Sequence, residues 1–407
     1  MHCSGEVAEW SKAQHWKCCI GVTLSRVRIP PSPFQISKNL QGLKEPTKKG
    51  AQYKDTDFGF IVVSVNSGAS GFVCGFAVCV VLAVQPLQAQ VSSISISGSS
   101  TVAPITELAI KEFRGTAAGR SATFTPVVVN GTGAGFRDFC SGKTAISNAS
   151  RPINSKELKA CAAAKIDFYE LPIGFDAITV VVNSANTWAK GISLVELKRL
   201  WSRDAQGKVE RWNQVNLDWP AKPINLYGPG KDSGTFEYFN KAINGESDNS
   251  RNDYNGSEDD NVIAKNIIND VNALGYFGFA YYKANQSKLR ALAIDGSKGT
   301  VMPSLKNVQN ETYQPLSRPI FIYVNNKQLK LNPSLRKFIS YYLSNASALV
   351  SREGSIPLSN SQYRIVENKL FRDVVGSSFA GDLPVGISLG QLLNRSIDNH
   401  KKPEFRN

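Results

Sequence analysis

Tyr227-Gly228-Pro229-Gly230-Lys231-Asp232-Ser233-Gly234-Thr235-Phe236 is the stretch whose reading decides the fold. The apolar run Ile224-Asn225-Leu226-Tyr227 in front of it reads as a buried strand, and Phe236, Phe239 and Ile243 behind it recur at helical spacing. The Gly- and Pro-punctuated loop therefore joins a strand end to a helix start. Ser233 stands at the N-cap position. A helix beginning there leaves backbone N–H groups unpaired and carries the positive end of its dipole. With Asp232, Ser233, Gly234 and Thr235 around it, the junction is an anion site in outline. Taken alone it is better explained as an ordinary helix cap.

The same construction occurs twice upstream. Ser93-Ile94-Ser95-Ile96 alternates like a strand, runs into Ser97-Gly98-Ser99-Ser100-Thr101, and precedes Ile105, Leu108, Ala109 and Phe113 on one helical face. Thr123 to Val129 reads as another strand and empties into Asn130-Gly131-Thr132-Gly133-Ala134-Gly135 before Phe136. Three strand–loop–helix junctions converge at the carboxyl edge of parallel sheets, where α/β proteins bind ligands. One small oxyanion is their expected common target.

These residues carry a family resemblance. Ser97-Gly98-Ser99-Ser100-Thr101, Gly131-Thr132-Gly133-Ala134-Gly135, Ser150-Arg151-Pro152-Ile153, Asp232-Ser233-Gly234-Thr235 and Ala273-Leu274-Gly275-Tyr276-Phe277-Gly278 occur in this order. Together they resemble the phosphate-binding proteins of high-affinity phosphate ABC transporters, over about residues 92–400. The resemblance implies an α/β, two-lobed type II periplasmic-binding-protein fold that closes over inorganic phosphate. It implies a first lobe over 90–175 and 283–400, a second over 176–282, and a polar tail over 401–407. Ser99, Ser100, Thr101, Gly133, Ala134, Gly135, Ser150 and Arg151 would bind from the first lobe; Asp232, Ser233, Gly234 and Thr235 would bind from the second. Arg151 is the expected guanidinium, a planar, permanently charged fork that matches two oxygens of a tetrahedral anion. On this reading Arg151→Ala weakens binding severely and spares the fold.

The chain departs from the best-known branch of that family at two positions. Pro229 stands where that branch carries an Arg, and Ser150 where it carries an Asp. The Asp accepts the proton of hydrogen phosphate and so rejects sulfate, because an anion without a proton leaves acceptor facing acceptor. Asp232 and Asp259 are the substitutes considered, each also readable as a cap or surface charge. A general, sulfate-like oxyanion receptor and a phosphate-sensing module without a transporter therefore stand beside the transport reading.

The 407 residues have room for two cored domains, with 42% hydrophobic content. Of the formal charge of +14, residues 1–54 contribute nine Lys/Arg against three Asp/Glu, and residues 90–407 contribute 38 against 28. These charges are scattered, without the basic stripe of a nucleic-acid groove, so no nucleic-acid partner is expected. The expected partners are phosphate and ABC permease subunits, with the chain itself a monomer. His2, His15 and His400 are the only histidines, two in the leader and one at the polar C-terminal end, so the core has none, which removes Ser-His-Asp chemistry and His-based metal sites. No cofactor or metal is expected. Gly142-Lys143-Thr144 resembles the end of a phosphate loop, but Arg137 stands where that motif needs Gly. A carboxylate-based phosphatase is the surviving enzymatic alternative.

Residues 1–59 read as a spurious extension, because Gly5 to Pro33 looks like the translation of a transfer-RNA gene; a basic disordered arm is the other reading. Met1 and Met302 are the only methionines, so a downstream start would need another codon. Residues 60–89 read as an export signal: Gly71 to Val84 is an uncharged apolar run, and Pro86-Leu87-Gln88-Ala89 predicts cleavage after Ala89 and a periplasmic location. Cys140 and Cys161 then remain in the exported part, compatible with one disulfide or with two buried thiols.

Overall fold

Phe168–Asn183, a strand of 16 residues buried throughout, is the element on which both halves of the molecule are built. In this computed structural model, which describes residues 93–388, 390–392 and 394–395, it is the fourth strand, β4. Both faces of β4 are covered, so its sequence is a nearly continuous apolar run rather than an alternating one. Pro172 and Gly174 do not break it. They fall at a bulge, where the register against its neighbour shifts between Ile320 and Phe321.

On one side of β4 lies the first lobe. β1 (Ile96–Gly98) pairs parallel with β2 (Val128–Val129) and with β3 (Ile146–Ala149). The expected strand over Thr123 to Val129 is thus short, with Phe124 held only by a bridge to Ile94. Each strand feeds a helix: α1 (Ala103–Gly115), α2 (Thr132–Cys140) and α3 (Ser155–Ala163). The last begins three residues beyond Pro152, because Asn154 and Glu157 form a capping box there.

The far half of β4 belongs to the second lobe. β5 (Gly191–Ser193), α4 (Leu194–Trp201) and α5 (Trp212–Val215) lead to β6 (Asn225–Pro229) and α6 (Gly234–Asn244). β7 (Asn255–Ser257) feeds α7 (Asp260–Ile268), and β8 (Ala273–Gly278) feeds α8 (Phe279–Ala284). β6 pairs parallel with β7 and β8, and β8 runs antiparallel to β4 over Ile178–Val182. The expected return at residue 282 is displaced. β9 (Leu289–Ala291) still pairs with Val181–Asn183 of β4, while β10 (Ala293–Gly296) joins β5 and β11 (Gly299–Val301) in a separate sheet. After α9 (Leu305–Gln309), β12 (Ser317–Asn325) makes the return, antiparallel to β3 and to Phe168–Ala177 of β4. The Gly275–Tyr282 run is apolar because β8 is a central strand, and burial of that kind does not distinguish a lobe's core from a crossing.

α10 (Asn326–Leu331), α11 (Pro333–Arg352), β13 (Ile356–Pro357) and α12 (Asn360–Phe371) close the first lobe. α11 packs along α1, with Tyr342 Oη and Thr106 Oγ1 3.0 Å apart. Among the described residues no helix is long and apolar enough to cross a membrane. The extension, the export signal and its cleavage after Ala89, the three histidines and the 401–407 tail lie outside the described residues.

Candidate anion site between the lobes

Every junction singled out in the sequence is a strand end feeding a helix start on the line where the lobes meet. Gly98 sits at φ +129°, and a Cβ there would lie 2.1 Å from the Asn148 carbonyl oxygen, so the turn into Ser99-Ser100-Thr101 requires glycine. On the opposite side Ser233 caps α6, its Oγ accepting from the Thr235 amide at 3.1 Å. Ser99, Ser100, Thr101, Ser150, Ser233 and Thr235 are all buried.

Two clusters result. In one, the hydroxyls of Thr132 and Ser150 stand 3.3 Å apart, and a Cβ on Gly234 of the other lobe would come within 2.6 Å and 2.8 Å of them. In the other, Thr101 Oγ1 of the first lobe and Thr235 Oγ1 of the second are 3.5 Å apart, with Arg318 Nη2 at 3.2 Å and 2.8 Å respectively. Gly234-Thr235 links the two clusters.

Arg318 stands at the start of β12, fully buried. Its Nε and Nη2 donate to Asp176 Oδ2 of β4 at 3.2 Å and 2.8 Å, while Asp176 Oδ1 accepts the Phe279 amide at the start of α8. A buried charge is tolerated only when paired and hydrogen-bonded, and Asp176 supplies that pairing. Arg318 Nη1 has no hydrogen-bonded partner. The guanidinium is desolvated, shares its Nη2 with two hydroxyls from opposite lobes, and keeps Nη1 donors that no protein group accepts.

The remaining expected residues have other partners. Arg151 is buried, but its Nη1 and Nη2 form a fork with Glu157 at 2.8 Å and 2.7 Å. Its Nε meets Glu237 of α6, and the guanidinium lies 5.5 Å from the Phe136 ring centroid. It ties the lobes together through two carboxylates. Asp232 is half-exposed and takes a fork from Arg137, which holds its carboxyl below the usual range. The Gly133 amide donates to the Asp232 carbonyl at 2.7 Å and the Gly135 amide to Gly131 at 2.9 Å, so neither is aimed at a ligand. Ala134 is half-buried in the first turn of α2. Asp259 is the N-cap of α7, accepting from the Asn261 amide at 2.9 Å.

Sequence reasoning did not single out Thr132 or Arg318, both of which lie among these hydroxyls. Thr132 was legible as a hydroxyl inside a quoted glycine loop. Arg318 carried a fainter signal, a lone cation opening the apolar run Pro319 to Val324. The Sγ atoms of Cys140 and Cys161 lie at bonding distance, 1.98 Å, joining α2 to α3 behind the site.

Two α/β lobes that share strands and meet over buried hydroxyls and one guanidinium define a two-lobed solute-binding protein. Residues 83–346 match the PBP superfamily domain, and the chain belongs to that family of solute-binding proteins. It is 46% identical over 303 residues to protein SphX of Synechocystis sp., an alignment covering 74% of this chain and 89% of that protein. It is 33% identical over 286 residues to the phosphate-binding protein PstS of Staphylococcus saprophyticus, covering 70% and 86%. A crystal structure of a possible phosphate binding protein from Planctomyces limnophilus matches with a TM-score of 0.52 at 37% identity, over 70% of this chain and 99% of that one.

Proposed function

We propose that this chain is an exported, monomeric binding protein that captures inorganic phosphate between its lobes and delivers it to the permease of an ABC transporter. The observation that carries this reading is Arg318, buried beside Thr101 and Thr235 with its Nη1 unpartnered. Ser100, Thr101, Thr132 and Ser150 bind from the first lobe, Ser233, Gly234 and Thr235 from the second, and Arg318 supplies the charge in place of Arg151. The first lobe comprises 93–177 with 317–388, and the second 178–316. Binding rests on charge-assisted hydrogen bonds in a desolvated site, without covalent chemistry. The similarity to the phosphate-binding protein PstS supports phosphate as the ligand. The Cys140–Cys161 pair is a disulfide, compatible with an oxidising compartment.

Calorimetric titration with phosphate tests this, after copurified anions are removed by unfolding and refolding. One-to-one binding with micromolar or better affinity is expected. A folded, cooperatively melting protein that takes up no phosphate overturns the reading.

A further inference from the structure

Residues 376–388, which follow α12, form no helix or strand of their own, yet they are fastened at both ends. The Gly376 amide donates to the Phe168 carbonyl at 2.8 Å. Ser377 Oγ and the Ser378 amide then donate to the two oxygens of the buried Glu170 carboxylate, at 2.6 Å and 2.9 Å. Phe379 is buried with its ring edge-to-face on Phe321 of β12, centroids 5.7 Å apart. These contacts fix the start of the segment on the first lobe.

From there the segment crosses to the other lobe. The Gly381 carbonyl accepts from Ser155 Oγ, in the first turn of α3, at 3.4 Å. The Gly386 amide donates to Tyr238 Oη of α6 at 2.9 Å, and Ile387 beside it is buried. Tyr238 is fully buried and uses its hydroxyl twice, since it also donates to the Ser317 carbonyl at 2.8 Å. Burial pushes its phenol up to about 12, so the donated proton stays in place at neutral pH. Ser317 directly precedes Arg318, and its own hydroxyl accepts from Gln314 Nε2 at 2.7 Å. One phenol on α6 thus joins the C-terminal segment to the strand start that carries Arg318.

We propose that residues 376–388 are a strap across the lobes and that Tyr238 is its positioning residue, holding the lobes shut over the bound anion and slowing its release without touching it. This rests on the reading of the site as a phosphate site. Opening the lobes carries α6 away from a segment fixed at Glu170, so the bond from Gly386 belongs to the closed arrangement. The chain's own crossings, within β4 and at the start of β12, permit that motion, and the strap opposes it.

The test is stopped-flow measurement of phosphate association and release on the full chain and on Tyr238→Phe, which keeps the ring and removes the hydroxyl. Thermal unfolding of the ligand-free proteins is the control for folding. Tyr238→Phe is expected to release phosphate about ten-fold faster, as the loss of a buried hydrogen bond implies, with association changed less than about two-fold. A folded variant that releases phosphate at the parent rate overturns the proposal. If Tyr238→Phe does not fold, amide hydrogen exchange on the wild type decides. Phosphate is then expected to slow exchange of the Gly386 amide about ten-fold more than that of the Ser378 amide, which Glu170 holds whether the lobes are open or closed. Equal slowing at both amides overturns the strap and leaves phosphate binding intact. A folded wild type that takes up no phosphate overturns the functional reading, and the strap with it.

Discussion

Arg137 and Asp232 face each other across the meeting line of the lobes as a two-pronged pair, Nη1–Oδ1 2.8 Å and Nη2–Oδ2 2.7 Å. Arg137 belongs to α2 of the first lobe and Asp232 to the loop before α6 of the second, so the pair exists only when the lobes are together. Their side chains are 63% and 41% exposed. Exposed pairs contribute about 0.2–1 kcal/mol and are screened by salt. Arg137→Ala is therefore expected to weaken phosphate binding by no more than about five-fold, with the deficit shrinking at 0.5 M salt. A loss of a hundred-fold in titration calorimetry would show that the pair is part of the binding machinery.

Arg318 is expected to behave quite differently. Arg318→Met removes the buried cation and leaves Asp176 uncompensated, which costs roughly 3–5 kcal/mol by the general behaviour of broken buried pairs. Adding Asp176→Asn relieves that penalty. The double variant should therefore regain much of the lost melting temperature and still bind no phosphate. Recovery of binding along with stability would remove Arg318 from the site.

Arg151 is expected to report on the fold and on closure. It is matched by Glu157 in its own lobe and Glu237 in the other. Arg151→Ala would leave two carboxylates facing each other beside Phe136, and a destabilisation of about 3 kcal/mol or more follows. Urea titration of the ligand-free protein checks this. A variant as stable as the parent that has lost phosphate affinity a thousand-fold would restore Arg151 as a direct ligand.

Glu258 introduces a pH dependence of stability. Burial pushes its carboxyl up to about 7, against the Asp232 amide, which donates to Oε1 at 3.1 Å and favours the anion. The folded pKa lies above the unfolded value near 4.5, so between about pH 4.5 and 7 the native state binds more protons than the unfolded one. Stability from this group accordingly falls as pH rises through that window. Asp232, Asp253 and Asp373, held below the usual range by Arg137, Arg251 and Lys330, act oppositely but only at more acid pH. Glu258→Gln is expected to reduce the slope of the melting-temperature profile between pH 5.5 and 7.5, the remainder coming from Asp260, whose carboxyl burial also pushes up to about 7. An identical slope in both proteins would show that Glu258 titrates normally.

The family and the junctions were legible in the sequence because they are local. Gly98, Gly234 and Ser233 are dictated by the backbone they occupy: a positive φ, a close approach to Thr132 and Ser150, and a helix cap. Helix α1 follows the spacing of Ile105, Ala109 and Phe113, all buried as that period requires. The return crossing was misplaced because apolar runs mark burial without naming the partner strand. Only the pairing of β9 with β4 and of β10 with β5 shows how long the chain stays in the second lobe.

The charges divided along the same line. By itself the sequence determined that an anion would meet helix starts and hydroxyls at strand ends, since peptide geometry at a Gly-Ser-Thr junction fixes those donors within a few residues. Which buried guanidinium keeps a donor without a partner was decided by tertiary structure alone. Arg151 lies beside a site motif in sequence but is neutralised by Glu157 six residues on and Glu237 from the other lobe. Arg318 is remote from those motifs in the chain. The two lobes bring it between Thr101 and Thr235 with its Nη1 unpartnered, because electrostatic pairing is settled by distance in space and by the exclusion of water, and neither is written in sequence order.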